Sequence, residues 1–294
     1  MKKVEFIKIG GFKIGHAHNT EAATGCTVFL PDECSVCGVD IRGGGPASRE
    51  VHLLDPLMAA TGIHGILLSG GSAFGLDAAG GVMRYLEERG IGFDVGITKV
   101  PLVCQSSLFD LMVGDMKIRP DQAMGYKACQ NASYDEPAQG NVGAGIGCTI
   151  NKVNGIKDAK KAGIGTYAVQ VGNVKIGALV ALNALGTIRG KDDDLSILGD
   201  NLFTGNTTLG IVVTNCKFSK SEMNKIANMA HNGYARAISP IHTTADGDSI
   251  YAVSTGNETC DINTIGTLSA YVIEQAIYRS VEASESAYGF DKWK

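Results

Sequence analysis

The stretch FTGNTTLGIVVTN, residues 203–215, sets a polar Gly-Asn-Thr-Thr step against an apolar run that reads as a buried strand. A threonine at that junction becomes a strong nucleophile only if the chain is cut in front of it. Attack of the Thr207 hydroxyl on the Asn206 carbonyl carbon, an N-to-O acyl shift, gives an ester. Water opens the ester and leaves Thr207 as a new N-terminus. An α-amine titrates at about 7.7–8.0. Near neutrality a useful fraction is therefore free base, able to take the hydroxyl proton of its own residue. A threonine inside a chain has no such base. Asn-Thr is also an ordinary turn pair, so the chemistry needs partners elsewhere.

Two partners are legible. In TTADGDSIYAVSTG, Asp246 and Asp248 flank a glycine just before a strand, and in extended chain residues i and i+2 point the same way. A pair of acids on one face can hold an ammonium, orient a hydroxyl and relay protons; the same pair also describes a solvated surface turn. Asn183 ends the apolar run VKIGALVALNALG (174–186), where its amide can donate to an oxyanion or simply close a turn. Other candidates are weaker. Cys34 and Cys37 in CSVC have the spacing of half a zinc site, but no second CxxC or HxxxH completes a tetrahedral set. His16 and His18 share a strand face without an evident third ligand. GSAFGLD suggests a phosphate cradle at a helix start, yet no Walker-type lysine and no GxGxxG accompany it, so close strand–helix packing explains its glycines better. No metal and no cofactor are expected.

The elements that must position these residues form a strand-rich, glycine-punctuated, mixed pattern. GIHGILLSGG (62–71) reads as a strand, followed by a helix over 76–90 with Leu76, Ala79, Met83 and Leu86 on one face and Gly90 as its stop. Residues 189–205 break the apolar rhythm with charges and read as an exposed connection. After the strand that Thr207 opens comes a helix capped by Ser219 or Ser221, with Met223, Ile226, Ala227, Ala230, Tyr234 and Ala237 on its buried face. GDSIYAVSTG is a further strand, and 264–284 a long amphipathic helix. The 294 residues, 44% hydrophobic with 39 glycines, favour one large domain over two. A net charge of −4 with scattered Lys and Arg offers no footprint for nucleic acid or an anionic membrane, so the expected partner is a small molecule or peptide. Eight cysteines without a secretory signal point to reduced thiols, and with no spanning segment the chain reads as cytoplasmic.

Ordered motifs along almost the whole chain resemble the self-processing aminopeptidase family. They are GVDIRGGGPASREVHLLDP, HGILLSGGSAFGLDAAGGVMRYLEERGIGF, VPLVCQSSLFDLMVGD, GNVGAGIGCTINK, KAGIGT, NTTLGIVVTN and MAHNGYARAISPIHTTADGDSIYAVSTG. The family includes L-aminopeptidase/D-esterase, β-peptidyl aminopeptidases and, closest in pattern, the threonine-nucleophile 6-aminohexanoate-oligomer (nylon oligomer) hydrolases. The resemblance implies a four-layer α/β/β/α sandwich of the N-terminal-nucleophile type with its own strand connectivity. It also implies cleavage into a large segment, 1–206, and a small one, 207–294, that stay together in a homo-oligomer, with a tetramer favoured. Thr207 matches the nucleophile, Asn206 the end of the large segment, Asp246 and Asp248 the two acids, and Asn183 the oxyanion-side asparagine. Lys152, in CTINK, matches a lysine near the site of the nylon-hydrolase branch. Where several members have an active-site tyrosine, QSSLFD offers Phe109, Ser106 and Ser107. The implied activity is hydrolysis of peptides or linear ω-amino-acid amide oligomers through an acyl-enzyme ester. Acyl transfer of the ornithine-acetyltransferase kind and cofactor-free, non-catalytic binding are the rival readings.

Overall fold

The computed structural model describes residues 1–190 and 205–294. Its two main sheets are built from β1 (Lys2–Val4), β2 (Phe12–Asn19), β3 (Thr24–Pro31), β4 (Val36–Ile41), β5 (Ala47–Arg49), β6 (Gly65–Ser69), β7 (Val103–Ser107), β8 (Ile164–Val171), β9 (Val174–Ala181), β10 (Leu209–Cys216) and β11 (Ser249–Glu258). The helices are α1 (Ala78–Glu87), α2 (Gln122–Gln130), α3 (Lys220–Ala237) and α4 (Ile262–Glu282). One sheet has the order β1-β8-β9-β10-β11-β4 and the other β2-β3-β6-β7-β5. Neighbours are antiparallel except β10 with β11 and β6 with β7, which run parallel.

Side-chain alternation turns the sheets into layers. On β10, Gly210 lies against Tyr234 of α3 and Ile273 of α4, so Ile211 and Val213 take the opposite face. There they join one buried cluster with Phe29, Ile66 and Leu68 of the second sheet. The outer face of that sheet, through Val28, Leu67 and Val103, meets Ala78, Val82 and Leu86 of α1. The result is the expected α/β/β/α sandwich. A polar contact crosses between the sheets as well: the hydroxyls of Ser106 on β7 and Tyr251 on β11 are 2.7 Å apart, both buried.

Local signals set most boundaries. Ser219, not Ser221, caps α3, in a reciprocal capping box with Glu222, and every residue predicted for its buried face is buried. Asp261 accepts from Thr264 N and starts α4 two residues earlier than the apolar spacing suggests. The helix expected from residue 76 begins at Ala78, because Ser72–Asp77 forms a 3-10 turn. The buried stripe runs through Ala78, Ala79, Val82 and Leu86 and leaves Met83 only partly buried. The predicted exposed connection falls mostly on residues 191–204, outside the described residues. The eight cysteines are free thiols; Cys34 is exposed and Cys37 is buried on β4. Among the described residues no helix is long and apolar enough to cross a membrane.

The inter-sheet hydroxyl pair generates a stability test. Tyr251→Phe leaves the Ser106 hydroxyl buried without its partner and is expected to destabilise by about 1–2 kcal/mol in urea unfolding, whereas adding Ser106→Ala should recover most of that loss. Equal stability of wild type and Tyr251→Phe would remove the pair from the account of sheet docking.

Candidate active site

The parallel pairing of β10 with β11 continues past the strand ends, where Asn206 bridges to Asp246. This brings residues 206–208 beside 246–248. Thr208 N donates to Asp248 Oδ1 at 2.8 Å across 40 residues of sequence. Gly247 N donates to the Asn206 carbonyl oxygen at 2.9 Å, and the Thr207 hydroxyl is hydrogen-bonded to the same oxygen. A Cβ on Gly247 would stand 2.6 Å from Thr207 Oγ1, so only glycine lets the two segments approach this closely. On the other flank, Thr207 N donates to the Asn183 carbonyl oxygen at 2.8 Å. Asn206 and Thr207 are buried, at 2% and 4% exposure.

Asn183, just beyond β9, is the hub of the site. Its Oδ1 accepts from Lys152 Nζ at 2.9 Å and Thr149 N at 3.1 Å, and its Nδ2 donates to the Phe109 carbonyl oxygen at 2.8 Å. Backbone bonds from Asn151 N to Gly186 O and from Lys152 N to Leu185 O lay the lysine's chain segment beside that of Asn183. The six predicted residues Thr207, Asn206, Asp246, Asp248, Asn183 and Lys152 thus belong to one buried constellation. The Phe109 ring packs against Gly205, which adopts φ +119. Ser106 and Ser107, the hydroxyls near the family's tyrosine position, are committed elsewhere: Ser106 to Tyr251 and Ser107 to Ser69. Phe109, Met112, Val113, Ile156, Gly205 and Lys152 line a cavity of only about 10 Å³, room for about one water.

Sequence reasoning missed His242. Its Nδ1 lies 2.9 Å from Asp248 Oδ2, and its backbone N donates to the same oxygen at 3.2 Å. Its place six residues before Asp248, in IHTTADGD, was the available signal. His16 is also accounted for: its Nδ1 meets Thr27 Oγ1, and burial pushes its pKa down to about 4.

Burial dominates the electrostatics. It pushes Lys152 down from 10.5 to about 7, against the pull of Cys148, Asp246, Asp248 and Asp110. Asp246 is pushed up, first by burial and then by the neighbouring Asp248 charge, while donors from Thr243 hold its Oδ2 at 2.8 and 2.6 Å. Its Oδ1 is buried without a hydrogen-bond partner among the described residues. A lysine titrating near neutrality, two neighbouring carboxylates, and a hydroxyl on a carbonyl that a backbone N–H also holds form a constellation suited to acyl transfer at that carbonyl.

The fold is of the N-terminal-nucleophile-hydrolase type, and the family and relatives make the chain an amide or peptide hydrolase. The solved L-aminopeptidase D-Ala-esterase/amidase of Ochrobactrum anthropi, described as a variant of the Ntn-hydrolase fold, superposes with a TM-score of 0.79 at 16% identity, over 99% of this chain and 91% of that one. A Burkholderia β-aminopeptidase superposes with a TM-score of 0.75 at 18% identity, over 97% and 88%. Residues 5–294 match peptidase family S58, and the chain belongs to that family. Sequence relatives include an uncharacterised aminopeptidase of Mycobacterium leprae, 33% identical over 96% of this chain and 91% of that protein. A 6-aminohexanoate-oligomer endohydrolase of Agromyces is 31% identical over 83% of this chain and 73% of its own length.

The depressed lysine makes stability depend on pH with a definite sign. Between about pH 7 and 10.5 the unfolded chain keeps a proton that folded Lys152 has released, so unfolding binds protons and stability rises with pH. Lys161, pushed down to about 8 by burial, acts in the same direction. The buried thiols, pushed up from 9.0, reverse the trend above about pH 9. In the uncleaved Thr207→Ala chain, adding Lys152→Met should flatten the rise between pH 7 and 9 by up to ~2 kcal/mol. Urea unfolding across that range measures it, and an unchanged slope would mean that Lys152 is charged in the folded chain.

Proposed function

We propose that this chain is a self-activating amide hydrolase that cleaves its own Asn206–Thr207 bond and then uses Thr207 as an N-terminal nucleophile. The observation that carries the reading is the Asn206 carbonyl oxygen, approached by the Thr207 hydroxyl and by Gly247 N–H within a buried site. When Thr207 Oγ attacks the Asn206 carbonyl carbon, negative charge builds on that oxygen, where the Gly247 N–H stabilises it. Lys152 takes the hydroxyl proton in its neutral form, with Asn183 Oδ1 fixing its Nζ. The C–N bond breaks with protonation of the nitrogen, and water hydrolyses the ester to a carboxylate on Asn206 and a free Thr207 amine.

The new ammonium supplies a donor for the unpartnered Asp246 Oδ1, and departure of Gly205 and Asn206 enlarges the small cavity beside Phe109 and Lys152. In turnover the Thr207 α-amine is the general base. Asn183 Nδ2, with one hydrogen on Phe109 O, offers its second to the substrate oxyanion, and Asp246 and Asp248 position the nucleophile. The aminopeptidase and oligomer-hydrolase names of the relatives support peptides or linear ω-amino-acid amides as substrates and water as the acyl acceptor.

Under denaturing conditions the purified protein should separate into 1–206 and 207–294, with Thr207 leading the smaller piece in N-terminal sequencing, and Thr207→Ala should remain one chain. A fragment beginning at Thr208 would move the nucleophile and refute the assignment. Amine release from peptide amides, β-peptides and ω-amino-acid oligomers should require no added amine acceptor and should rise with pH as the Thr207 amine loses its proton. Asp246→Asn and Asp248→Asn should each lower turnover at least about tenfold; near-normal rates in both folded variants would return the pair to a structural role.

A further inference from the structure

Behind Asp248 lies a chain of hydrogen bonds that the proposed reaction does not use. His242 Nδ1 meets Asp248 Oδ2 at 2.9 Å, His242 Nε2 meets His231 Nδ1 at 3.3 Å, and His231 Nε2 meets the Asp40 backbone carbonyl oxygen at 3.0 Å. His231, on α3, has no exposure, and the His242 side chain is 16% exposed. The far end is tied down: Asp40 accepts from Arg42 Nε at 3.1 Å and Asn228 Nδ2 at 2.6 Å.

With the fully buried His231 neutral, donor and acceptor parity fixes the protons. A carbonyl oxygen only accepts, so His231 Nε2 carries its hydrogen toward Asp40 O. Neutral His231 then presents a bare Nδ1, to which His242 Nε2–H must donate. A neutral His242 would therefore face Asp248 with a lone pair, placing two acceptors 2.9 Å apart. One more proton must lie between them. Asp248 also accepts from Thr208 N on Oδ1 and from His242 N on Oδ2, so both of its oxygens serve as acceptors. We infer that His231 and His242 are positioning residues of this site: the Asp40–His231 contact fixes the tautomers so that His242 is an imidazolium paired with Asp248, holding that carboxylate for the Thr207 segment. The inference rests on the hydrolase reading for its consequence, though not for the proton count. Burial pushes His231 down to about 4, in accord with its neutral place in the chain.

Among the described residues, the charged and titratable groups around the pair are Asp246 and Asp248 ahead of β11, His231 and Tyr234 on α3, Asp40 and Arg42 at the end of β4, and Lys152. Removing the His242 ring takes from Asp248 its counter-charge and its donor, and turnover is expected to fall. His242 sits at φ +60, where Asn and Gly are accommodated. His242→Asn keeps an N–H near the position of Nδ1 but does not titrate, and His242→Gly keeps the backbone and removes the donor.

Two measurements test this. In the uncleaved Thr207→Ala chain with ¹⁵N-labelled histidine, assigned with His231→Phe and His242→Asn, the ring nitrogen shifts at neutral pH should show His242 protonated on both nitrogens and His231 as the Nε2–H tautomer. A neutral His242 or an Nδ1–H His231 overturns the inference, and neither result depends on activity, so a failure of the hydrolase reading remains distinguishable. In the processed enzyme, His242→Gly should lower kcat at least about tenfold with KM within about threefold. His242→Asn should recover most of that kcat. A kcat in His242→Asn as low as in His242→Gly, or an unchanged kcat in His242→Gly, would overturn the role in turnover.

Discussion

The site depends on one pairing, the parallel ladder between β10 and β11. Parallel strands begin at the same end of a sheet, so the crossover through α3 returns the chain to the level at which β10 started, with Leu209 opposite Ser249. An antiparallel pair would have carried Asp246 and Asp248 to the far end. The register places Asn206 against Asp246, and Gly247 N–H and the Asp248 carboxylate then hold the chain on either side of the Asn206–Thr207 bond. β9 completes the enclosure, since it pairs with β10 on the other edge and ends where Asn183 takes the Thr207 N–H.

Buried charge separates groups that hold the structure from groups that remain available for chemistry. Lys161 has no exposure and directs its ammonium at three carbonyl oxygens, those of Gly145, Cys148 and Ala162, at 3.3, 3.0 and 2.5 Å. All three of its donors are used, as a buried structural lysine requires. Lys152 is as deeply buried, yet its side-chain nitrogen has one acceptor among the described residues, Asn183 Oδ1. Burial pushes both ammonium groups down, Lys152 to about 7 and Lys161 to about 8. Asp110 is a further contrast. Thr24 Oγ1 and Gly71 N hold its carboxylate at 2.7 Å each, so it ties β3 to the turn after β6 despite being pushed up to about 6 by burial.

The chemistry legible in the sequence consisted of residue types and local order: a threonine at the head of an apolar strand, two acids at i and i+2, an asparagine closing another strand, and helices whose caps and apolar spacing mark their ends. Those signals act over a few residues, which is why a serine cap, Ser219 or Ser221, and the buried face of α3 were predictable. The start of α1 and part of its buried stripe were not: a 3-10 turn occupies Ser72–Asp77, and Val82 rather than Met83 is buried beside Ala79 and Leu86. Ser106 and Ser107 likewise looked available beside the site until the sandwich turned them to Tyr251 and Ser69.

The sequence by itself therefore determined the reactive groups and the elements carrying them, since backbone propensity and side-chain chemistry are local properties. Only the tertiary structure decided which groups meet and in what protonation state. The parallel register selects Asp246 and Asp248 as neighbours of Thr207, burial moves Lys152 toward neutrality, and a third strand's Asp40 carbonyl orients His231, which contacts the His242 ring beside Asp248. Distance and desolvation are properties of the packed chain, and no spacing along the sequence records them.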